Sequence, residues 1–189
     1  MQTRVDLILS YTKGKILDVG YVCGTLHQQL IKKVRKRNIY GLDTETKKEN
    51  NYYKKGNAEK MPYANKSFNT VVSGELIEHL KHPEKFIKES YRVLKKNGVL
   101  IITTPNKYSL INIITKSYNA KLHFNLFGKR ELIKIIERNG FKVLKFQCFP
   151  YTEESNYGSK HKKLFFLREL IHPLLPQPLQ EEMVVIAIK

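Results

Sequence analysis

A short strand that runs directly into glycine residues restricts the fold of this chain more than any other feature. Residues 15–19 form the predicted strand, Asp18 lies near its end, and Gly20 and Gly24 follow. Glycine is needed where a chain turns sharply at a strand end and a ligand approaches its backbone, since a Cβ atom would collide with one or the other. A helix from Thr25 would point free amide groups and its positive dipole end at the same place. The segment predicts a nucleotide-type cofactor site, with a plain turn as the alternative interpretation.

A second acidic residue supports this interpretation. Residues 38–43 form another predicted strand, which ends in Asp43 about 25 residues after Asp18, close to where dinucleotide-binding folds place the carboxylate that binds ribose hydroxyl groups. The two residues favour a cofactor that carries adenosine. Val22 stands where the second glycine of a G-x-G-x-x-G motif is expected, which argues against an NAD-type cofactor.

Strand and helix patterns alternate along the chain, which predicts a parallel sheet with helices on both faces, a Rossmann-like doubly wound α/β fold. Ligands of such sheets bind beyond the carboxyl ends of the strands. Gly20, Asp43, Asn57 and Ser73 all fall at predicted strand ends, so we expect them around one pocket. The predicted strands are residues 15–19, 39–43, 52–54, 69–74, 99–104, 141–146 and 183–188, and the predicted helices are residues 26–34, 83–96 and 129–139.

Five segments follow one another in an order typical of a known family. They are Ile16-Leu-Asp-Val-Gly20 with Gly24, Tyr40-Gly-Leu-Asp43, Gly56-Asn-Ala-Glu-Lys-Met-Pro62, residues 67–80 and residues 83–106. These segments resemble the motifs of the class I S-adenosylmethionine-dependent methyltransferases, especially the small-molecule branch that includes ubiquinone and menaquinone biosynthesis enzymes. A weaker similarity extends over residues 127–143.

The resemblance implies S-adenosyl-L-methionine as the cofactor and a mostly parallel seven-stranded sheet with an antiparallel last strand. In that family the first motif wraps the methionine part of the cofactor, the acid of the second binds the ribose, and the third borders the adenine. The predicted cofactor-binding residues are therefore Asp18, Gly20, Gly24, Asp43, Asn57, Ala58 and Ser73. The chain departs from the family pattern at Tyr21 and Val22, which put bulk where small residues are usual. It also has only a few polar residues between the second and third strands, where the family usually has a helix.

His79, shortly after the fourth strand, is the candidate catalytic residue. Methyl transfer depends mainly on bringing the acceptor into line with the sulfonium methyl group and excluding water, and a base helps when the acceptor is a hydroxyl or a protonated amine. Capping of the local helix is the alternative role for His79. Glu75 and Glu78 either orient an amino group or are ordinary dipole partners of a helix start. His123 lies where related enzymes place acceptor-facing residues, and a surface position is the default for it.

The two cysteines predict no metal site. Cys23 and Cys148 are too few for a disulfide framework and lack the spacing of metal ligands, so we expect two reduced thiols. The chain has no long apolar run and no secretion signal, which leads us to expect a cytoplasmic protein.

Length and composition favour one domain over residues 1–189, with 41% hydrophobic residues, 27% charged residues and no long linker. Residues 107–128 and 151–180 are predicted insertions that build the acceptor pocket. The second contains a basic amphipathic stretch that would pack as a lid or lie on a membrane surface. Few residues precede the first strand, so a partner subunit would be needed to close the pocket, and a homo-oligomer is one expectation.

A net charge of +17 suggests an anionic partner, either RNA or a membrane surface. Lysines on solvated helix faces are the alternative explanation. No N-P-P-[YF]-like segment follows the fourth strand, and no RNA-binding module is recognisable. We therefore expect methyl transfer to a small-molecule or lipid-like acceptor. The alternatives are an RNA methyltransferase and a non-catalytic binding protein that keeps the methyltransferase fold.

Overall fold

The structure is a computed structural model that describes residues 3–22, 26–34, 38–115, 123–150 and 174–189. The strands are β1 Ile16–Val19, β2 Ile39–Asp43, β3 Tyr53–Lys55, β4 Phe68–Gly74, β5 Leu94–Pro105, β6 Lys142–Phe149 and β7 Glu182–Ile188. The described α-helices are α1 Arg4–Tyr11, α2 Leu26–Lys33, α3 Pro83–Val93, α4 Leu110–Thr115 and α5 Lys129–Arg138. Short 3₁₀ helices cover Ile77–His79 and Gln177–Leu179.

The seven strands form one sheet in the order β3-β2-β1-β4-β5-β7-β6. The strands from β3 to β5 pair in parallel, whereas β7 runs antiparallel to both β5 and β6. The predicted fold, a mostly parallel seven-stranded sheet with an antiparallel last strand, is therefore confirmed. The direction of the strand order reverses between β1 and β4, and a doubly wound sheet binds its ligand at this point.

Helices cover the sheet on both faces. β1 lies near the middle and all four of its residues are buried, as expected for a parallel strand covered on both sides. Apolar side chains of α1 and α2 pack on one face, and those of α3 and α5 pack on the other. These side chains are Leu7 and Ile8 of α1, Leu26 and Leu30 of α2, Phe86 and Ile87 of α3, and Leu132 and Ile136 of α5.

The predicted boundary between α3 and β5 is wrong. The sequence pattern predicts a helix over residues 83–96, but α3 ends at Val93 and β5 begins at Leu94. Leu94 has an extended backbone, with φ −74° and ψ 140°, and pairs with Phe68 of β4. Its side chain is fully buried, so an apolar residue that continues the helical period is in fact buried by the strand. For a single residue, the periodicity of apolar positions does not distinguish the last residue of a helix from the first residue of a strand.

The connection between β2 and β3 has no helix in residues 44–52, all of which the structure describes. The absence of a helix here agrees with the sequence analysis, which found only a few polar residues between the second and third strands. β3 lies one residue later than predicted and remains partly exposed at the edge of the sheet. Among the described helices, none combines the length and the apolar character that a membrane crossing requires. Of the predicted insertions, residues 116–122 and 151–173 lie outside the described residues.

Candidate cofactor site

A cavity of about 250 Å³ lies at the carboxyl ends of β1, β2, β3 and β4, next to the point where the strand order reverses. Its volume is close to the lower end of the range of small-molecule sites, roughly 300–1,000 Å³. Most of the lining side chains are apolar, and a few polar groups stand among them. The lining residues are Val19, Gly20, Leu42, Asp43, Thr44, Gly56, Asn57, Ala58, Leu76, His79 and Leu80.

The cavity brings together most of the residues that the sequence singled out. Four predicted cofactor-binding residues and the candidate catalytic residue line it: Gly20, Asp43, Asn57, Ala58 and His79. Two others lie elsewhere, because Asp18 and Ser73 are buried in β1 and β4 and are not part of the cavity wall. Gly24 lies outside the described residues. Contact of all seven predicted residues with the cofactor stays a prediction, and for these last three the cavity lining gives it no support.

Gly20 has a backbone conformation that glycine alone adopts easily. Its φ is +82°, and its N–H donates a hydrogen bond of 2.8 Å to the carbonyl oxygen of Leu42. A Cβ atom at this position would lie 3.2 Å from Cδ1 of Leu76, a residue of the cavity wall. The glycine thus permits both the turn after β1 and the close packing beneath the cavity.

The carboxylate of Asp43 joins two segments of the cavity wall. Its Oδ2 atom accepts a hydrogen bond of 3.0 Å from the N–H of Val22, and its Oδ1 atom accepts one of 2.8 Å from the N–H of Glu45. The side chain therefore fastens the loop after β1 to the end of β2. A carboxylate has about four lone-pair positions, so it can also accept hydrogen bonds from a pair of ligand hydroxyl groups.

The segment that carries Asn57 is fixed from two sides. The amide oxygen of Asn57 accepts a hydrogen bond of 2.7 Å from the N–H of Glu59, which leaves the amide nitrogen to meet an acceptor atom of an adenine ring. Further along, Arg92 of α3 donates to the carbonyl oxygen of Met61 at 3.0 Å, and Glu89 accepts from the N–H of Met61 at 2.7 Å. α3 thus holds this side of the cavity in place.

The bulky residues that depart from the family pattern do not line the cavity. The ring of Tyr21 packs against His27 and Tyr53, with centroid separations of 4.8 Å and 5.1 Å. Gly41 of β2 makes room for it, because a Cβ atom there would lie 2.6 Å from Cδ1 of Tyr21. Val22 is 40% exposed. The extra bulk is therefore accommodated beside the cavity.

Asp18 has a buried partner that the sequence analysis missed. Its Oδ2 atom lies 2.9 Å from Nδ1 of His27, and Nε2 of His27 lies 3.1 Å from the hydroxyl oxygen of Tyr53. Burial raises the pKa of the Asp18 carboxyl, and the hydrogen bond from His27 opposes that rise. Burial also raises the pKa of Tyr53. His27 lies in a predicted helix, and no motif distinguishes it from a solvent-facing histidine.

A second polar cluster lies beside the cavity. The side chain of His79 is 38% exposed, and its ring centroid is 4.9 Å from that of His123. His123 is partly exposed and packs against His79, so a role for it at the acceptor stays a prediction. Glu78 is buried, and its Oε2 atom accepts a hydrogen bond of 2.9 Å from the hydroxyl of Thr104. Burial raises the pKa of Glu78 to about 7.

Glu75 adds another carboxyl group to this edge of the sheet. It has a φ of +50° directly after β4, and its Oε1 atom accepts a hydrogen bond of 3.0 Å from Thr103. Burial raises the pKa of Glu75 well above its usual value, and the charges of Glu78 and Glu182 raise it further. Arg4 of α1 lies 2.9 Å from Glu182 and 3.8 Å from Glu75. Glu75 and Glu78 thus belong to a group of acidic side chains at this edge of the sheet, and a role for either in orienting an amino group stays a prediction.

Comparison with known proteins identifies the family of this chain and agrees with its fold. Residues 2–145 match the methyltransferase domain family. A probable S-adenosylmethionine-dependent methyltransferase of Mycolicibacterium smegmatis is 34% identical over 93 residues, which are 47% of this chain and 34% of the relative. The mitochondrial ubiquinone biosynthesis O-methyltransferase of Mus musculus is 44% identical over 102 residues, which are 48% of this chain and 27% of the relative. This chain thus covers about a third or less of the length of either relative.

A solved structure extends the similarity of fold to almost the whole chain. A SAM-dependent methyltransferase from Archaeoglobus fulgidus superposes with a TM-score of 0.67 at 22% identity, covering 98% of this chain and 91% of the other. S-adenosyl-L-methionine is the cofactor that the family and the named relatives imply. The chain belongs to the methyltransferase domain family.

Proposed function

We propose that this chain transfers the methyl group of S-adenosyl-L-methionine to a small-molecule or lipid-like acceptor. The observation that carries the proposal is the cavity in which Gly20, Asp43, Asn57 and His79 meet at the carboxyl ends of four parallel strands. The sheet order puts β1 between β2 and β4. A ligand across these ends would have its ribose at Asp43 and its reactive end towards His79.

The lining supports an adenosine-bearing ligand. Asp43 can accept hydrogen bonds from two ribose hydroxyl groups, while Leu42 and Ala58 offer an apolar surface to the base. Asn57 can donate to a ring nitrogen of adenine. The positive φ of Gly20 keeps side-chain atoms away from the amino-acid part of the cofactor. These placements follow the predicted roles of the same residues.

The cofactor supplies a methyl group that is already electrophilic because it is bonded to a positively charged sulfur. The chain then needs mainly to hold the acceptor in line and to exclude water. We assign acceptor activation to His79, whose partly exposed side chain lies at the edge of the cavity. An imidazole at this position is suited to remove a proton from a hydroxyl or amine as it attacks.

A second cavity, of about 260 Å³, supports a small or lipid-like acceptor. It lies beyond the carboxyl ends of β5 and β6, at the same edge of the sheet as the first cavity. Apolar and aromatic side chains line it together with one lysine and two side-chain amides. The lining residues are Asn106, Tyr108, Lys129, Phe146, Cys148, Gln177, Pro178 and Met183. Asn106 adjoins the predicted insertion 107–128 and Tyr108 lies within it, whereas Gln177 and Pro178 belong to the other insertion.

The similarity to a ubiquinone biosynthesis O-methyltransferase supports a phenol-like acceptor. The net charge of +17 instead supports the alternative of an RNA acceptor. Two basic clusters, residues 32–37 and 160–163, add to this positive charge, and they lie partly or wholly outside the described residues. We therefore keep RNA as an outcome of the test.

Calorimetric titration with S-adenosyl-L-methionine and with its demethylated product tests the cofactor site. The wild-type chain should bind both, and Asp43→Ala should weaken binding about 10–100-fold, because hydrogen bonds to a carboxylate contribute roughly 1.5–3 kcal/mol. Asp6→Ala, on the exposed first turn of α1, is the matched control and should bind like wild type. Absence of heat and of a thermal shift with both ligands would leave a non-catalytic binding protein as the better explanation.

Incubation with radiolabelled cofactor and fractionated cell extract tests the acceptor. The label should appear in the metabolite or lipid fraction and should be lost with Asp43→Ala. Label in the RNA fraction, with binding that weakens steeply as salt is raised, would establish the RNA alternative instead.

A further inference from the structure

We propose that Glu78, His79 and His123 bind a divalent first-row metal ion at the edge of the cofactor cavity. Each residue offers one ligand atom, and the three atoms lie within 4.8 Å of one another. Two imidazole nitrogens and one carboxylate oxygen form a ligand set typical of zinc and of iron, manganese or cobalt, and such sites keep open positions for water or substrate.

The spacing of the three ligand atoms is close to what a metal ion needs. Ligand atoms of a tetrahedral site with bonds of about 2.1 Å are about 3.4 Å apart, so the three atoms must approach one another by up to about 1.4 Å. The side chain of His79 is partly exposed, whereas the carboxylate of Glu78 is buried. Nε2 of His79 already lies 3.9 Å from Oε1 of Glu78.

Two hydrogen bonds place His123 against the other ligands. Glu78 and His79 belong to the 3₁₀ helix Ile77–His79 after β4, whereas His123 precedes α5. The N–H of Asn125 donates to the carbonyl oxygen of Glu78 at 3.0 Å, and its side-chain amide donates to the carbonyl oxygen of Leu80 at 2.6 Å. The segment that carries His123 is thereby attached to the 3₁₀ helix, and the two imidazole rings meet.

The surroundings of Glu78 resemble the support that metal ligands usually have. The hydroxyl of Thr104 donates a hydrogen bond of 2.9 Å to Oε2 of Glu78, which leaves Oε1 directed at His79. Metal-binding carboxylates are commonly oriented in this way by a neighbouring donor. The carboxylates of Glu75 and Glu182 lie nearby at the same edge, and Arg4 contacts both. A cation at the histidines would offset the negative charge of the buried Glu78.

The position of the site suggests its role, and this part rests on the proposed function. His79 is both a ligand and part of the cavity wall, so the cation would lie beside the place where the acceptor meets the methyl group of the cofactor. A hydroxyl acceptor at an open metal position would lose its proton to water more easily, and His79 would then activate the acceptor by holding the metal rather than by taking the proton itself. Its oxygen then bonds to the methyl carbon while the carbon–sulfur bond breaks and both electrons pass to sulfur. The substrate class is therefore an alcohol or a phenol.

Metal binding by the full-length chain is the direct test. After removal of metals with a chelator, Co²⁺, Mn²⁺ and Zn²⁺ are titrated separately, with calorimetry and the visible absorption of bound Co²⁺ as readouts. Wild type should bind one equivalent of at least one of these ions. His79→Ala and His123→Ala should each weaken binding by more than about 100-fold, and Thr104→Val by roughly 10–100-fold, as expected of a supporting residue.

His82→Ala is the matched control, because this exposed histidine lies 3.8 Å from Glu84 in the same stretch of chain. It should bind the metal like wild type, and circular dichroism should show that all variants remain folded. Binding that is unchanged in the folded His79→Ala and His123→Ala variants, or no binding by wild type, would overturn the proposal.

Cofactor titration in the presence of the chelator separates this proposal from the proposed function. Cofactor binding without any metal binding would overturn the proposed metal site and would still support the methyltransferase function. Metal binding without cofactor binding would support the metal site and overturn the proposed methyl transfer.

Discussion

Nδ1 of His27 lies 2.9 Å from Oδ2 of Asp18, and both side chains are buried between the sheet and α2. Asp18 is the acidic residue of the strand that precedes the glycine turn, and His27 is on the helix that follows it. The contact therefore closes the strand–turn–helix unit on which the cofactor site is built. Tyr53 of β3 extends it through a contact of 3.1 Å with Nε2 of His27.

Replacement of His27 by alanine should destabilise the fold by about 3 kcal/mol near neutral pH, because it leaves a buried carboxyl group without its partner. The loss should shrink as the pH falls. Burial already raises the pKa of Asp18 and the histidine opposes this rise, so without His27 the carboxyl accepts a proton more readily. Urea unfolding of the variant at several pH values measures both effects.

A double-mutant cycle with Asp18→Asn isolates the contact itself. In the Asp18→Asn background, which has no carboxylate, His27→Ala should lower the unfolding free energy clearly less than it does in wild type. If the two costs simply add, the side chains do not interact and the assignment of this pair is wrong.

Replacement of Gly20 by alanine should lower both stability and cofactor affinity. An alanine at φ +82° costs roughly 1–2 kcal/mol, and its Cβ atom would press on Leu76 in the cavity wall. Gly140→Ala is the matched control, since Gly140 has φ +91° but lies after α5, away from the cavity. It should cost similar stability in thermal unfolding and leave the titration with S-adenosyl-L-methionine unchanged. Equal affinity in the two variants would argue against Gly20 as part of the site.

The sequence predicts the sheet and most of one cavity wall because those features are local. Gly20, Asp43 and Asn57 each end or follow a strand, and the carboxyl ends of parallel strands meet at one edge whatever the details of packing. The position of Tyr21 could not be predicted in the same way. Its ring avoids the cavity only because Gly41, in the neighbouring strand, leaves space for it.

The cluster at His79 and His123 shows the same limit. These histidines are far apart in sequence and belong to different segments, and hydrogen bonds from Asn125 bring them together. Ligand spacing within a short motif reveals a metal site only when the ligands come from one turn or one helix. The predicted end of α3 was wrong for a different reason, because Leu94 fits the helical and the extended sequence pattern equally well.

Replacement of Arg92 by lysine should loosen the side of the cavity that carries Asn57. The guanidinium of Arg92 donates to the carbonyl oxygens of Met61 and Tyr63 and to both carboxylate oxygens of Glu89. A lysine cannot reproduce this fork of hydrogen bonds, so a loss of about 1–2 kcal/mol in unfolding free energy is expected. Cofactor affinity should fall as well. Arg138→Lys, at the exposed end of α5, should change neither the unfolding free energy nor the cofactor affinity. If Arg92→Lys also changes neither, the loop that carries Asn57 does not depend on these hydrogen bonds.

The thiol of Cys148 should react slowly in the folded chain. Burial raises its pKa to about 11, although the charge of Lys129 acts in the opposite direction, and the residue is 3% exposed. At pH 8 the thiolate fraction is then roughly 100-fold lower than for a thiol with a pKa near 9, because each pKa unit changes it tenfold. Alkylation by iodoacetamide should therefore be at least about 100-fold slower in the folded Cys23→Ala variant than in the same variant in urea. The folded rate should still rise about tenfold per pH unit between pH 8 and 10, where the unfolded rate levels off. A folded rate within a few-fold of the unfolded rate at pH 8 would mean that this wall of the second cavity is open to solvent.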